Sequence, residues 1–491
     1  MKKLIIFLLP VLFLVACKKD LTTLNEDPKN PSIVPSYALF TNAQRVLSNT
    51  VTSPNVNLNI FRYIVQYWTE TTYTDESNYD LQTRQIPRGL WNTLYRDVLR
   101  DFQEARKLIP SDVLDGAGKP DVGRQKNELA IIDIMEVYTW YYLVTTFGNI
   151  PYTEALNIEK PFPKYDDQKT IFADLLKRLD TDIASLSSAN GSFGSADVIY
   201  GGDPTAWKKF AASFKLKIGM TLADVDPALS KSVVESAVTT GVFQSNSDNA
   251  EFRYLSGPPN TNPVWVDLIQ SGRKDNVGTK TIIDPLIAFK DPRLPYYFTT
   301  VTETNTAYIG ATPGASSNYS SFSKPSGPAL VKTSIGRLTN ADFPALLLSY
   351  DEVEFFLAEA KERGYNVPGT AAEHYNKAVT ASILYWTGSS SSAAAYLAQP
   401  SVAYATAAGT YKAKIGIQKY IALYNRGWDA WIEQRRLDQP ALKAPSSAQS
   451  AYPVRFTYNV DEQNINTTNY DAASAAIGGD KVTTKLYWDV F

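Results

Sequence analysis

The chain has 491 residues, 44% of them hydrophobic and 20% charged, with 48 basic against 50 acidic side chains and a formal net charge of −2. With no basic run longer than a pair (Lys18-Lys19, Arg435-Arg436), it lacks the electrostatic footprint of a nucleic-acid binder. A single cysteine and a single histidine exclude an intrachain disulfide, the usual soft-metal sites and Cys/His or Ser/His catalysis; no cofactor and no metal site is assigned, a calcium site from loop oxygens staying open although no EF-hand spacing appears.

In chain order, the first stretch reads as an export signal. Lys2 and Lys3 precede the apolar run Leu4 to Val15, and Leu14-Val15-Ala16-Cys17 closes it with small residues. The run is too short to cross a hydrocarbon layer roughly 30 Å thick. Its end resembles a bacterial lipobox, which makes Cys17 the expected lipid attachment point. Residues 1–16 are then a lipoprotein signal peptide, and residues 17–36, polar and broken by Pro28, Pro31 and Pro35, a flexible tether. No later stretch is long and apolar enough to span a bilayer, so membrane contact is expected through the N-terminal lipid only.

The body, residues 37–491, reads as one α-helical domain. Tyr37, Phe40, Ala43, Val46 and Leu47 begin the helical rhythm, and a second helix is expected over Leu58 to Glu70. Trp91, Leu94, Tyr95, Val98, Phe102, Ala105 and Ile109 form an amphipathic helix that Pro110 should stop. Glu128 to Phe147 is apolar nearly all round, which predicts a central buried helix ended by Gly148. Asp166 and Asp167 offer caps for a helix carried by Ile171, Leu175, Leu179 and Ile183. Gly201-Gly202-Asp203-Pro204 lacks the P-loop lysine and reads as a turn and cap before a helix on Trp207, Phe210, Phe214 and Ile218, with Leu229 to Val242 as its partner.

From Arg253 to Ala345 the rhythm fails, apart from a patch near Ile282 to Phe289. A structureless loop of that length is unusual, so residues of about 253–345 are expected to form an irregular, loop-rich subdomain of short elements. Helices resume at Tyr350 to Ala360 and Ala371 to Trp386. Ala371-x-x-x-Tyr375-x-x-Ala378 has the spacing of the second helix of a tetratricopeptide pair. Gly388 to Gly409 is Ser/Ala-rich and reads as surface loop or frayed helix. Ile417, Ile421, Tyr424, Trp428, Trp431 and Ile432 read as one last helix before an irregular tail from Pro440.

The functional signal is aromatic. Thirty tyrosines and nine tryptophans exceed what a core needs. Those on periodic stripes (Trp91, Trp140, Trp207, Trp386, Trp428, Trp431) are expected in the core, and His374 at a surface or packing position. Three loops carry the rest among polar neighbours. The first, Thr71 to Arg88, offers Tyr73, Asn78, Tyr79 and Arg84. The second, Gly257 to Arg273, offers Asn262, Trp265 and Arg273. The third, Tyr308 to Phe322, offers Tyr308 and Tyr319. Rings against the C–H face of a sugar, flanked by hydrogen-bonding side chains, suit glycan capture.

Several stretches together resemble the second branch of the SusD/RagB-like outer-membrane lipoproteins. They are LNEDPKNP, FGNIPYTEA, IYGGDPTAWKKFAASFKLKIGM, DPRLPYYF, EVEFFLAEAKERG, IQKYIALYNRGWDAWIEQRRLDQP and GGDKVTTKLYWD. The resemblance implies a mainly α fold of about four tetratricopeptide-like helix pairs with a long irregular excursion. It also implies a non-catalytic lipoprotein of the outer membrane, facing the cell exterior. Such a protein binds a nutrient, usually a glycan, and delivers it to a SusC-like TonB-dependent transporter. Only Asp20 supplies the acidic character that surface-export signals favour after the cysteine. Two alternatives stand beside this reading. A glycoside hydrolase would use paired carboxylates (Asp75, Glu76, Glu352 and Glu354 are candidates), and a helical-repeat scaffold would bind proteins.

Overall fold

Apolar residues recurring every three and four positions fold into helices that bury their stripes against one another. The computed structural model describes residues 34–491; the signal segment, Cys17 and most of the tether lie outside the described residues. Four helix pairs follow one another along the chain. They are Val122–Phe147 with Gln168–Ser185, Pro204–Thr221 with Pro227–Thr240, Tyr350–Glu362 with Ala371–Thr387, and Tyr411–Ala422 with Gly427–Leu437. The fold is mainly α and tetratricopeptide-like, as the sequence implies. No helix among the described residues is long and apolar enough to cross a membrane.

Local chemistry starts these helices where the sequence places them. Asp167 accepts hydrogen bonds from the backbone amides of Lys169 and Thr170, Asp203 from Thr205 ahead of Pro204, and Asp226 from Leu229. Thr370 and Glu373 form a reciprocal capping box. Each cap contributes about 1 kcal/mol. From Ala130 to Phe147 every residue of the central helix except Asp133 is buried, and Gly148 terminates it at φ 89. Its charges are answered from outside: Arg178 Nη2 lies 2.8 Å from Asp133 and 2.7 Å from Glu136.

Between the later pairs lies a charged layer that apolar stripes do not announce. Lys217 and Arg426 each approach Glu352 at 2.8 Å, and Arg426 meets Asp429 at 2.7 Å. Arg436 grips Glu359 with two bonds of 2.6 Å. The expected core tryptophans are buried, Trp386 only partly. His374 is also buried, with Nδ1 2.6 Å from Glu354 and Nε2 2.7 Å from the Pro368 carbonyl.

Five local expectations are corrected. Leu58 to Glu70 is not a helix. It forms one turn, Phe61–Ile64, a reversal at Gln66 (φ 57), and the strand Trp68–Glu70, which pairs antiparallel with the distant Asn276–Gly278. Pro110 does not stop its helix, which runs to Asp112; the same helix passes through a π-helical stretch, Thr93–Leu99. Ile417 to Ile432 spans two helices, parted at Asn425 (φ 73). Within Gly388 to Gly409, Tyr396 and Val402 are buried, and Val402 accepts a 2.7 Å bond from the Tyr375 hydroxyl. The tail contains the helices Val460–Ile465 and Thr467–Ala476. For Trp68–Glu70 the distant strand partner outweighs the local helical pattern.

Residues 253–345 form short elements packed on the helices, among them Asn276–Gly278, Lys280–Ala288 and Leu294–Tyr297. They end at Ala345–Leu348, which pairs with Ala250–Phe252.

Candidate functional site

The strand Trp68–Glu70 runs into the first candidate loop, and its partner Asn276–Gly278 follows the second. The pairing therefore draws the two loops together, and Asp275 ties them: its Oδ1 accepts from the backbone amides of Thr71 and Thr72, both at 2.8 Å. The third loop is stitched to the same frame. Ala311 N donates to Gly278 O (2.9 Å), Gly314 N to Thr69 Oγ1 (2.9 Å) and Ser317 N to Thr71 O (2.9 Å). Gly314 is required there, because it sits at φ +71 and a Cβ would stand 2.3 Å from Asn78 Oδ1.

Beneath the first two loops lies a charged knot. Arg273 Nη2 is 2.7 Å from Glu70 Oε1 and 3.3 Å from Asp275 Oδ2, and Nη1 is 3.8 Å from Asp267 Oδ2. Ser77 donates to Glu70 through both N (3.2 Å) and Oγ (3.1 Å). Burial, reinforced by neighbouring Glu76, pushes the Glu70 carboxyl up to about 8. Burial also raises Asp267, against the pull of Arg273 and Arg62.

The residues singled out from the sequence separate into two kinds. Tyr73 is 68% exposed, and Arg84 is exposed while paired with Glu76. Trp265, Tyr308, Tyr319 and Arg273 are partly buried and keep some surface. The Lys324 ammonium lies 5.2 Å from the Tyr319 ring centroid, and burial pushes the Tyr319 hydroxyl up to about 12, so it remains a neutral donor at neutral pH. Asn78, Tyr79 and Asn262, in contrast, are buried and occupied. Asn78 Nδ2 donates to the Thr74 and Gly314 carbonyls, and Tyr79 accepts from Gln66 Nε2 at 3.1 Å. Asn262 caps the turn that carries Trp265 and donates to Phe343 O at 2.6 Å. These three shape the loops and present almost no surface.

A cleft of about 700 Å³ opens beside the second loop. It lies between the end of the Ser36–Thr52 helix, the segment Ser53 to Leu58, and residues from Pro259 to Arg273. The sequence reading passed over its Asn55 and Asn57, although the asparagine-rich stretch SPNVNLN is a signal for a polar turn surface.

Three of the four carboxylates that a hydrolase could use are committed elsewhere, and Asp75 is exposed on the first loop. Glu352 has no exposed side-chain surface and is held by Lys217 and Arg426, Glu354 is bonded to His374, and Glu76 is buried against Arg84. Among the described residues no group of three or more His, Cys, Asp or Glu could hold a metal ion.

The model of the second SusD-like family, described as starch-binding and associating with the outer membrane, matches residues 28–459. The chain belongs to this SusD-like family. Solved structures similar to it include a chitin-binding protein, 28% identical with a TM-score of 0.78, the match covering 93% of this chain and 100% of the other. A chitin-binding SusD homologue from Flavobacterium johnsoniae is 23% identical, with a TM-score of 0.76 over 92% and 97% of the two chains. A SusD homologue from Bacteroides uniformis is 24% identical, with a TM-score of 0.74 over 93% and 100%. The latter two speak for the fold alone. No match is found among curated proteins. The family is described as starch-binding, and two of these neighbours are described as chitin-binding.

Proposed function

We propose that this SusD-like protein is a cell-surface lipoprotein that captures a glycan without cutting it and passes it to a SusC-like TonB-dependent transporter. In this reading Cys17 carries the lipid that holds the body at the outer membrane. The ligand rests on the face formed by the first and third loops, with Tyr73, Tyr308 and Tyr319 as stacking rings and Arg84, Trp265 and Arg273 at its border. The observation that carries the reading is Tyr73. It is a large ring left 68% exposed on a loop whose backbone is pinned by Asp275. Such a surface has an ordering cost already met by the scaffold.

The 28% identical chitin-binding relative favours a chitin-type glycan over a starch. A few ring stacks of about 0.5–1.5 kcal/mol each, with flanking polar contacts, give roughly millimolar to micromolar binding, which suits capture followed by release. The test is a binding panel of the soluble form, from Lys18 onward, against chitin, starch and xylan. Retention on one insoluble polysaccharide, competed by its soluble oligomers with no shorter products formed, supports the reading. Retention on none, or release of shortened chains, overturns it.

A further inference from the structure

The cleft of about 700 Å³ lies within the range of about 300–1,000 Å³ that small-ligand sites occupy, and no aromatic ring lines it. It is therefore unlike the tyrosine-bearing loops beside it, and its lining points to a different part of a ligand. Asn55 Oδ1 accepts from Asn57 N at 2.9 Å and from Asn57 Nδ2 at 3.1 Å, which locks the two side chains together. What remains is the Asn55 amide nitrogen as a donor and the Asn57 carbonyl oxygen as an acceptor. Both residues are exposed, and neither of these atoms has a partner among the described residues.

The apolar part of the lining is Val46, Val56, Leu58, Pro263 and Val266. Its charges are Arg45, Asp267 and Arg273: Arg273 is set against Glu70, Asp275 and Asp267, and the exposed Arg45 bonds the neutral Asn42 Oδ1 at 2.8 Å. The complementary group offers one acceptor, one donor, a small apolar end and no net charge.

We propose that the cleft takes the acetamido group of an N-acetylated hexosamine unit. The group's carbonyl accepts from Asn55, its N–H donates to Asn57, and its methyl lies on the valine wall formed by Val56 and Val266. A deacetylated unit brings an ammonium with no methyl for the valine wall and no acceptor for Asn55, and it must shed water beside Arg45 and Arg273, where the one carboxylate of the lining, Asp267, already faces Arg273 at 3.8 Å. Arg273 lines the cleft and also bonds Glu70 under the first loop, so the two surfaces are continuous through one side chain. This inference rests on the glycan reading above and names the substituent that the site selects.

Titration calorimetry tests it with a chitin oligosaccharide and the fully deacetylated oligomer of equal length, on the wild type, Asn57→Ala, Val266→Trp and Tyr73→Ala. The wild type should prefer the acetylated oligomer roughly tenfold. Asn57→Ala should weaken that binding roughly threefold to tenfold, the worth of one hydrogen bond, and Val266→Trp, which fills the cleft, should abolish the preference. Thermal midpoints should stay at the wild-type value, since both cleft residues are exposed. Equal affinity of the wild type for the two oligomers overturns the assignment. So does acetylated binding that both cleft variants leave intact while Tyr73→Ala weakens it, and in that case the glycan reading stands. Failure of the wild type to bind any glycan of the panel overturns both.

Discussion

Arg273 Nη2 lies 2.7 Å from Oε1 of Glu70, a carboxylate with no exposed side-chain surface, and this contact joins the second candidate loop to the strand that feeds the first. Glu70 also faces Glu76, Asp275 and the Ser77 hydroxyl, so one cation is set against several acids. The loops are therefore joined by this side-chain contact as well as by backbone pairing.

This anchor should be sensitive to pH. Burial, and then the charge of Glu76, pushes Glu70 from its ordinary carboxylate value up to about 8, so folding takes up a proton between about 4.5 and 8. The stability that Glu70 contributes is full below its unfolded value and is lost as pH rises through about 8, at up to ~1.4 kcal/mol per pH unit. Urea unfolding across pH 5 to 9 should show this loss in the wild type and a flatter profile in Glu70→Gln. Identical profiles would refute it.

The two tyrosines of the first loop should behave oppositely. Tyr73→Ala removes an exposed ring, so it should leave stability unchanged and weaken glycan binding roughly twofold to tenfold. Tyr79→Ala removes a ring that is 2% exposed and stands edge-on to Tyr452 at 6.1 Å, so it should cost about 3–5 kcal/mol of folding stability. Calorimetric melting and binding titrations on the same samples separate the two effects.

Gly314→Ala should loosen the third loop. The new methyl meets Asn78 at a positive φ, a cost of about 1–3 kcal/mol. Hydrogen exchange should speed up at the Ser317 amide, which donates to Thr71 O, while amides of the Val122–Phe147 helix keep their protection. Unchanged exchange at Ser317 would show that the loop tolerates the methyl.

Arg436→Ala should be the most damaging of these changes to the helical body. It strips Glu359 and Glu433 of a buried cation bonded at 2.6 and 2.7 Å, a loss of about 3–5 kcal/mol. Denaturant midpoints measure this directly, and a loss below about 1 kcal/mol would mean that Lys419 and Arg363 suffice for the two carboxylates.

What could be read from the sequence alone was whatever depends on neighbours along the chain. The stripe of the central helix, the caps at Asp167 and Asp203 and the stop at Gly148 all follow from side chains within a turn of one another. The spread of family stretches likewise pointed to the right architecture. Tertiary structure decided what depends on chain segments far apart in the sequence. Trp68–Glu70 is a strand only because Asn276–Gly278 lies beside it. Arg436 is tolerated in the core only because Glu359 faces it. Tyr73 and Tyr79 stand six positions apart in one polar loop, yet one is open to solvent and the other is enclosed by Gln66 and Tyr452. Composition cannot separate them, because burial of a loop ring is set by the distant side chains that fold over it.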